Sequence, residues 1–108
     1  MSDSDLIALS DRLREFAAAR DWEKFHTPKN LSSALSVEAS ELLEIFQWLT
    51  PEESSAVMVD DKNRAAVLDE MADVLIYLVR MADVLDVDLV VAANAKVSRN
   101  ETRFPLGK

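Results

Sequence analysis

The scarcity of turn-forming residues restricts the fold of this 108-residue chain, which contains one glycine and three prolines. Sheet proteins need frequent tight turns, and those turns use glycine and proline most. Apolar residues recur here at three- and four-residue spacing and do not alternate. We therefore predict an all-α fold that forms one domain, residues 1–108.

Four helices are predicted from this spacing. Their spans are residues 5–20, 28–49, 61–85 and, starting near Asp86 or Asp88, the stretch to Arg103. Between them lie a loop at 21–29 and a partly helical connector at 54–60, which follows the stop and new helix start at residues 50–53. The third helix is apolar on every side from Val74 to Val79, so we expect it at the centre of a four-helix bundle-like fold.

The charge balance excludes several classes of partner. The net charge is −8, from 12 basic against 20 acidic residues, whereas nucleic-acid polymers and anionic membranes attract basic surfaces. The longest apolar run is far shorter than the ~20 residues of a membrane span. The chain has no cysteine, which removes disulfides and thiolate chemistry. With no signal-like N-terminus, we predict a cytoplasmic location.

Two pairs of acids interrupt the apolar stripes of the second and third helices. The pairs are Glu38 with Glu41 and Glu70 with Asp73, and Glu38 lies three residues after Leu35. Members of a pair are three residues apart, so they face one way. If the two helices run antiparallel, each pair stands about ten residues, or roughly 15 Å, from the connector. We therefore expect the pairs to face one another.

Buried carboxylates are costly unless something neutralises them. No Lys or Arg holds a matching stripe position on these helices, and the nearest, Arg80, is two turns beyond Asp73. Carboxylate oxygens suit hard divalent cations. We predict that the four acids bind Mg²⁺, with Mn²⁺ as the second choice. The alternative is that they are solvated acids on amphipathic helices, since a single Glu-x-x-Glu is weak evidence.

Phosphate chemistry fits the remaining residues best. One histidine and no cysteine leave no Ser-His-Asp or Cys-His set and no pair of Glu-x-x-His motifs for iron. One face of the last helix carries Lys96, Arg99, Asn100 and Arg103, which suits phosphate or simply a helix C-terminus. Candidates for a base pocket, each with core packing as its alternative, are Trp22, Phe25, His26, Trp48 and Tyr77.

Several segments carry a family resemblance over nearly the whole chain. They are Arg20-Asp21-Trp22-Glu23-Lys24-Phe25-His26, Glu38-Ala39-Ser40-Glu41-Leu42, Phe46-Gln47-Trp48, Asp69-Glu70-Met71-Ala72-Asp73-Val74-Leu75-Ile76-Tyr77, and Lys96 with Asn100, Arg103 and Pro105. With them the chain resembles the MazG-like all-α nucleoside triphosphate pyrophosphohydrolases, in particular the dCTP pyrophosphatase-type branch.

The resemblance implies hydrolysis of a nucleoside triphosphate between its α and β phosphates. It implies that Glu38, Glu41, Glu70 and Asp73 ligate Mg²⁺, that Trp22, His26, Trp48 and Tyr77 line the base and sugar pocket, and that Lys96, Asn100 and Arg103 contact phosphates. It also implies a homodimer or homotetramer with the site near a subunit interface. Among the acids, Glu41 is our choice for the residue that positions the attacking water.

Three readings of the function stay open at this point. The first is removal of dCTP or a modified dCTP from the nucleotide pool. The second is the same reaction on another nucleotide, such as dUTP or an oxidised purine triphosphate. The third is a non-catalytic acidic helical interaction module, which the position of the acids inside apolar stripes disfavours.

Overall fold

Residues 3–107 are described in the computed structural model, and this part of the chain contains helices and no strand. The α-helices are α1 (Asp3–Ala19), α2 (Pro28–Phe46), α3 (Pro51–Ser55), α4 (Asp61–Leu85) and α5 (Leu89–Arg103). Two 3-10 turns, Glu23–Phe25 and Val57–Val59, lie in the predicted loop and connector. The all-α prediction is confirmed.

Side-chain caps set most helix starts. The Thr27 hydroxyl accepts the Asn30 N–H at the start of α2, and Asp60 and Asp88 cap α4 and α5 in the same way. Thr50 and Glu53 form a reciprocal capping box at α3. These are the polar residues that best satisfy the free N–H groups of a first turn.

Three predicted helix boundaries were wrong by a few residues. The second helix ends at Phe46, not at residue 49, because the chain tightens into a turn before Thr50, where the following Pro51 disfavours helical backbone. The first ends at Ala19, just before Asp21 takes a left-handed conformation with φ 56°. It begins at Asp3, two residues earlier than predicted.

Helix α4 is the centre of the fold, as predicted. It packs along α2, along α1 and against the 3-10 turn at 57–59. The buried apolar side chains come from all of these elements and are Ala17, Leu31, Val57, Val67, Val79 and Ala82. Leu31 is the largest fully buried side chain in the described part of the chain, so the core within one copy is thin.

Helix α5 forms as predicted but packs only lightly on the rest of the described chain. Val91, Val97 and Phe104 are all more than half exposed. The radius of gyration is 16.7 Å, against roughly 13 Å for a compact chain of this length. The open shape comes with an α5 that leaves much of its apolar surface uncovered within one copy.

Within residues 3–107, no helix combines the length and apolarity that crossing a membrane requires.

Candidate active site

Three of the four predicted metal ligands meet between α2 and α4. Glu38 and Glu41 come from α2 and Glu70 from α4, and one carboxylate oxygen from each lies within 4.8 Å of the others. Asp73 is one turn along α4 from Glu70, outside this trio but close enough for its charge to act on Glu38 and Glu70. The two acid pairs therefore do face one another across the helix seam.

No cation of the described chain neutralises this cluster. The Oε2 atoms of Glu38 and Glu70 are buried and have no hydrogen-bond partner within the described residues. Hydrogen bonding with the neighbouring carboxyl groups of Glu70 and Glu41, together with partial burial and the charges of Glu41 and Asp73, raises the pKa of Glu38 to about 7. The pKa of Glu70 is also raised, because burial and the Glu41 charge outweigh the lowering effect of its hydrogen bond with Glu38.

The donor set fits a hard divalent cation. Oxygens that are buried and unpaired are costly unless a ligand occupies them. Mg²⁺ takes carboxylate oxygens together with water and substrate phosphates, which this group of partly exposed acids leaves room for. The cluster has the chemistry of a metal centre that stays open on one side.

An aromatic cleft of about 450 Å³ begins beside the acids at Asp73. Trp22, His26 and Tyr77, three of the predicted base-pocket residues, line it together. Arg12 and Phe16 line it as well, and the rings of Phe16 and Trp22 stack edge to face at 5.6 Å. The size and the aromatic lining suit a planar heterocycle.

A second cleft, of about 480 Å³, is lined by acids of the cluster. Glu41, Glu44 and Glu70 line it with Ile45 and Ala66. Glu44, one turn beyond Glu41 on α2, thus borders the same cleft as two acids of the cluster. Asp73 lines the aromatic cleft and Glu41 and Glu70 line the acidic one, so the acids border both clefts.

A partly buried ionic network adjoins the aromatic cleft, which His26 and Arg80 line. Arg80 is 6% exposed and donates from Nε to Nδ1 of His26 at 3.0 Å and from Nη1 to Oδ2 of Asp83 at 2.7 Å. Arg14 donates to both oxygens of Asp83. The arginines lower the pKa of Asp83, and burial together with the Arg80 charge lowers the pKa of His26.

Sequence reasoning missed the partners of Arg80. It considered Arg80 only as a counterion for the acids, but Arg80 pairs with Asp83 and His26 instead. The spacing of Arg80 and Asp83, one turn apart on α4, was the available signal for their pairing. Nothing in the spacing pointed to the contact of Arg80 with His26, which depends on how the 21–27 loop packs on α4.

The other predicted contacts are not brought to this site within one copy. Trp48 follows the end of α2 and is 87% exposed. Lys96, Asn100 and Arg103 lie on α5, which contributes no residue to the carboxylate trio or to the described lining of the two clefts beside it. Phe25 is exposed and close to Lys24, with no part in the aromatic cleft.

A family model described as MazG-like matches residues 33–108 of the chain. That stretch holds both acid pairs and α5. The chain belongs to the MazG-like family.

Among curated relatives of this MazG-like chain are mammalian proteins named dCTP pyrophosphatase 1. The human protein is 48% identical over 91 residues, which are 84% of this chain and 54% of the human one. The rat protein is 48% identical over 92 residues, 85% of this chain and 54% of its own length. The chain thus spans about half the length of the curated relatives it matches.

A solved structure shares the fold closely. The crystal structure of a pyrophosphatase from Archaeoglobus fulgidus superposes with a TM-score of 0.87 at 42% sequence identity, and the match covers 94% of each chain. The two chains are therefore similar in sequence as well as in fold over nearly their full length.

Proposed function

We propose that this chain is a Mg²⁺-dependent nucleotide pyrophosphohydrolase that cleaves dCTP or a modified dCTP to the monophosphate and pyrophosphate. One observation carries the proposal. Carboxylate oxygens of Glu38, Glu41 and Glu70 converge within 4.8 Å of one another, and Asp73, one turn from Glu70, borders a cleft lined by Trp22, His26 and Tyr77. The likeness to proteins named dCTP pyrophosphatase 1 supports cytosine as the base.

The four acids would hold the metal, and the raised pKa values and unpaired oxygens of Glu38 and Glu70 support this role. When bound, Mg²⁺ neutralises triphosphate charge. Glu41 is exposed and lies at the mouth of the acidic cleft. It is our candidate to accept a hydrogen bond from the attacking water, which adds to phosphorus as pyrophosphate leaves. Mn²⁺ is expected to replace Mg²⁺, because both take oxygen ligands.

The aromatic cleft would hold the base and sugar. The rings of Trp22 and His26 pack against each other at a tilt, with centroids 6.3 Å apart, and Tyr77 lies one turn beyond Asp73. A base that packs against these rings would place its phosphates toward the acids. Trp48 lies outside this cleft in one copy. Its predicted contact with the nucleotide would need a second copy.

We further propose a homo-oligomer, dimer or tetramer, in which α5 serves a neighbouring copy. Within residues 3–107, the face with Lys96, Asn100 and Arg103 lines neither cleft beside the acids, and the lining of the acidic cleft includes no basic side chain. Exposed apolar residues on α5 would be covered by the same contact. No nucleic-acid polymer or membrane is expected as a partner, and a cytoplasmic location stays a prediction.

A nucleotide panel tests the activity. Each of dCTP, 5-methyl-dCTP, dUTP, dTTP, dATP, dGTP and an oxidised purine triphosphate is incubated with the protein and Mg²⁺, and pyrophosphate and monophosphate are measured. We expect the cytosine nucleotides to have the highest kcat/KM. A higher kcat/KM with another base would show that the reaction is as proposed but that the preferred substrate is that nucleotide. If no nucleotide released pyrophosphate, the result would contradict the proposal and favour the alternative of a non-catalytic acidic interaction module.

Mixing two inactive variants tests whether α5 acts on a neighbouring copy. Glu70→Gln removes an acid and Lys96→Ala removes a cation, and the two are co-refolded in equal amounts. If α5 completes the site of a partner, mixed assemblies recover part of the activity because one site in them has both residues. Recovery would be absent if each copy used its own Lys96. Light scattering gives the size of the assembly.

A further inference from the structure

The buried Arg80 has no role in the proposed chemistry, although burying a guanidinium is costly. Its side chain is 7% exposed and that of Asp83 is 14% exposed. The only polar side chain that Arg80 meets besides Asp83, among the described hydrogen bonds, is His26 in the wall of the aromatic cleft. The network therefore ends on a residue that faces the nucleotide site.

The geometry of this contact decides where the imidazole proton sits. Arg80 Nε–H is always a donor, because a guanidinium does not lose its proton in proteins. Nδ1 of His26 must then present a lone pair at 3.0 Å, so it carries no proton. A neutral imidazole with a bare Nδ1 carries its proton on Nε2.

The rest of the network holds Arg80 in place. Asp83 Oδ2 accepts from Arg80 Nη1 at 2.7 Å and from Arg14 Nε at 3.0 Å, and Asp83 Oδ1 accepts from Arg14 Nη2 at 2.6 Å. Asp83 is thus held from both sides. Arg80 has little freedom to turn its Nε–H away from His26.

We propose that Arg80 is a positioning residue, which holds His26 neutral with its proton on Nε2 so that the cleft offers a hydrogen-bond donor to an acceptor atom of the nucleotide. The role of His26 as a nucleotide contact rests on the proposed function. The state of the imidazole does not, since it is set in the free protein.

The charges around His26 agree with this assignment. Burial and the nearby Arg80 charge disfavour a second proton on the ring and lower its pKa, and they outweigh Glu23, which acts in the opposite direction. The neutral ring is therefore favoured, and His26 takes up a second proton at a lower pH than an ordinary histidine does.

The chain has one histidine, so a single imidazole signal reports on the network. Long-range ¹H–¹⁵N correlation spectra of the ¹⁵N-labelled, tag-free protein are recorded from pH 5 to 8. We expect a neutral ring with Nε2 protonated and Nδ1 bare in the wild type. In Arg80→Met the signals should move to a mixture of tautomers and titrate closer to the ordinary value.

Two further variants separate the effects. Arg80→Gln keeps an N–H donor without the charge, so it should retain much of the Nε2–H tautomer. Arg14→Met removes one partner of Asp83 but leaves both contacts of Arg80, so the imidazole signals should move much less than in Arg80→Met. A wild-type ring protonated on Nδ1, or an unchanged tautomer in Arg80→Met, would overturn the proposal. Helix content by circular dichroism identifies any variant that fails to fold.

The effect on substrate is measured by a double-mutant cycle with His26→Gln, whose amide nitrogen takes a position near that of Nε2 and needs no tautomer. Alone, Arg80→Met should raise KM for the preferred nucleotide roughly fivefold, the scale of one hydrogen bond, with little change in kcat. In the His26→Gln background the same change should raise KM less than about twofold. An equal rise in both backgrounds would show that Arg80 acts by another route. If no nucleotide is hydrolysed, the spectra still test the imidazole state.

Discussion

Two acids on α4 meet opposite surroundings. Glu70 faces the carboxylates of Glu38 and Glu41, whereas Asp83, further along the same helix, accepts hydrogen bonds from Arg14 and Arg80. Both side chains are partly buried. The pKa of Glu70 is raised and that of Asp83 is lowered. Burial is therefore not what distinguishes them; the sign of the neighbouring charge is.

The contrast separates two uses of a buried charge. Arg14 and Arg80 neutralise Asp83, so the cost of burying its charge is offset within the folded protein. The network then serves to hold other side chains in place. Glu70 and Glu38 each leave an oxygen without a partner, so their environment improves only when something cationic arrives. On this basis the first group is structural and the second is kept open for a ligand.

The largest expected effect comes from neutralising one acid of the open cluster. Glu70→Gln should lower pyrophosphate release more than about 100-fold, because it removes a metal ligand. Asp69→Asn is the matched control, since it changes an exposed acid in the neighbouring position of α4, and it should stay within about twofold of wild type. A rate in Glu70→Gln close to that of Asp69→Asn would contradict the difference drawn between open and paired acids. The assay is pyrophosphate release from saturating nucleotide with Mg²⁺.

The paired acid should matter for stability. Asp83→Ala leaves the buried guanidinium of Arg80 without its carboxylate, so the free energy of unfolding should fall by about 3 kcal/mol. Asp11→Ala is the control, because Asp11 meets the exposed side of Arg14 at 3.8 Å and should contribute less than about 0.5 kcal/mol. Urea unfolding followed by circular dichroism measures both. If both variants lost the same free energy of unfolding, the Asp83 network would stabilise the fold no more than an exposed ion pair does.

Local signals in the sequence were enough for much of the fold. Thr50 with Pro51 marked the break between α2 and α4, and α4 itself runs over the predicted residues 61–85. The acids Glu38 and Glu70 could be found because each stands where an apolar residue would otherwise pack. Apolar periodicity identifies the face of a helix that packs against a neighbour, and α2 and α4 pack against each other.

Contacts between distant segments were less accessible. The pairing of His26 with Arg80 depends on the path of the loop after α1, and no spacing within one helix contains that path. The packing of α5 could not be predicted from the sequence either. Its cationic face with Lys96 and Arg103 is plain in the sequence, but the helix contacts little in its own copy, and periodicity does not tell which copy a face will cover.

Metal dependence should sharpen the contrast further. In EDTA, Glu38→Gln should raise the melting temperature, because it removes one charge from a cluster of like charges. Adding Mg²⁺ should then raise the melting temperature of the wild type but not that of Glu38→Gln, since binding to the folded state stabilises it. Differential scanning fluorimetry with and without Mg²⁺ measures this. A wild type that Mg²⁺ does not stabilise would argue against a metal at these acids.

The smallest effect expected is a pH dependence of opposite sign for the two acids. The folded-state pKa of Glu38 is raised from 4.5 to about 7, so its contribution to stability is fully present below pH 4.5 and is lost as pH rises toward 7. The pKa of Asp83 is lowered from 3.8, so its contribution is present above that pH and is lost only in more acidic solution. Between pH 5 and 8 only Glu38 of these two should act. Urea unfolding in EDTA should therefore show the wild type losing stability relative to Glu38→Gln as pH rises, whereas Asp83→Asn should run parallel to the wild type. A constant gap between wild type and Glu38→Gln over this range would mean that Glu38 is already ionised at pH 5, and the cluster would then resemble an ordinary solvated group of acids.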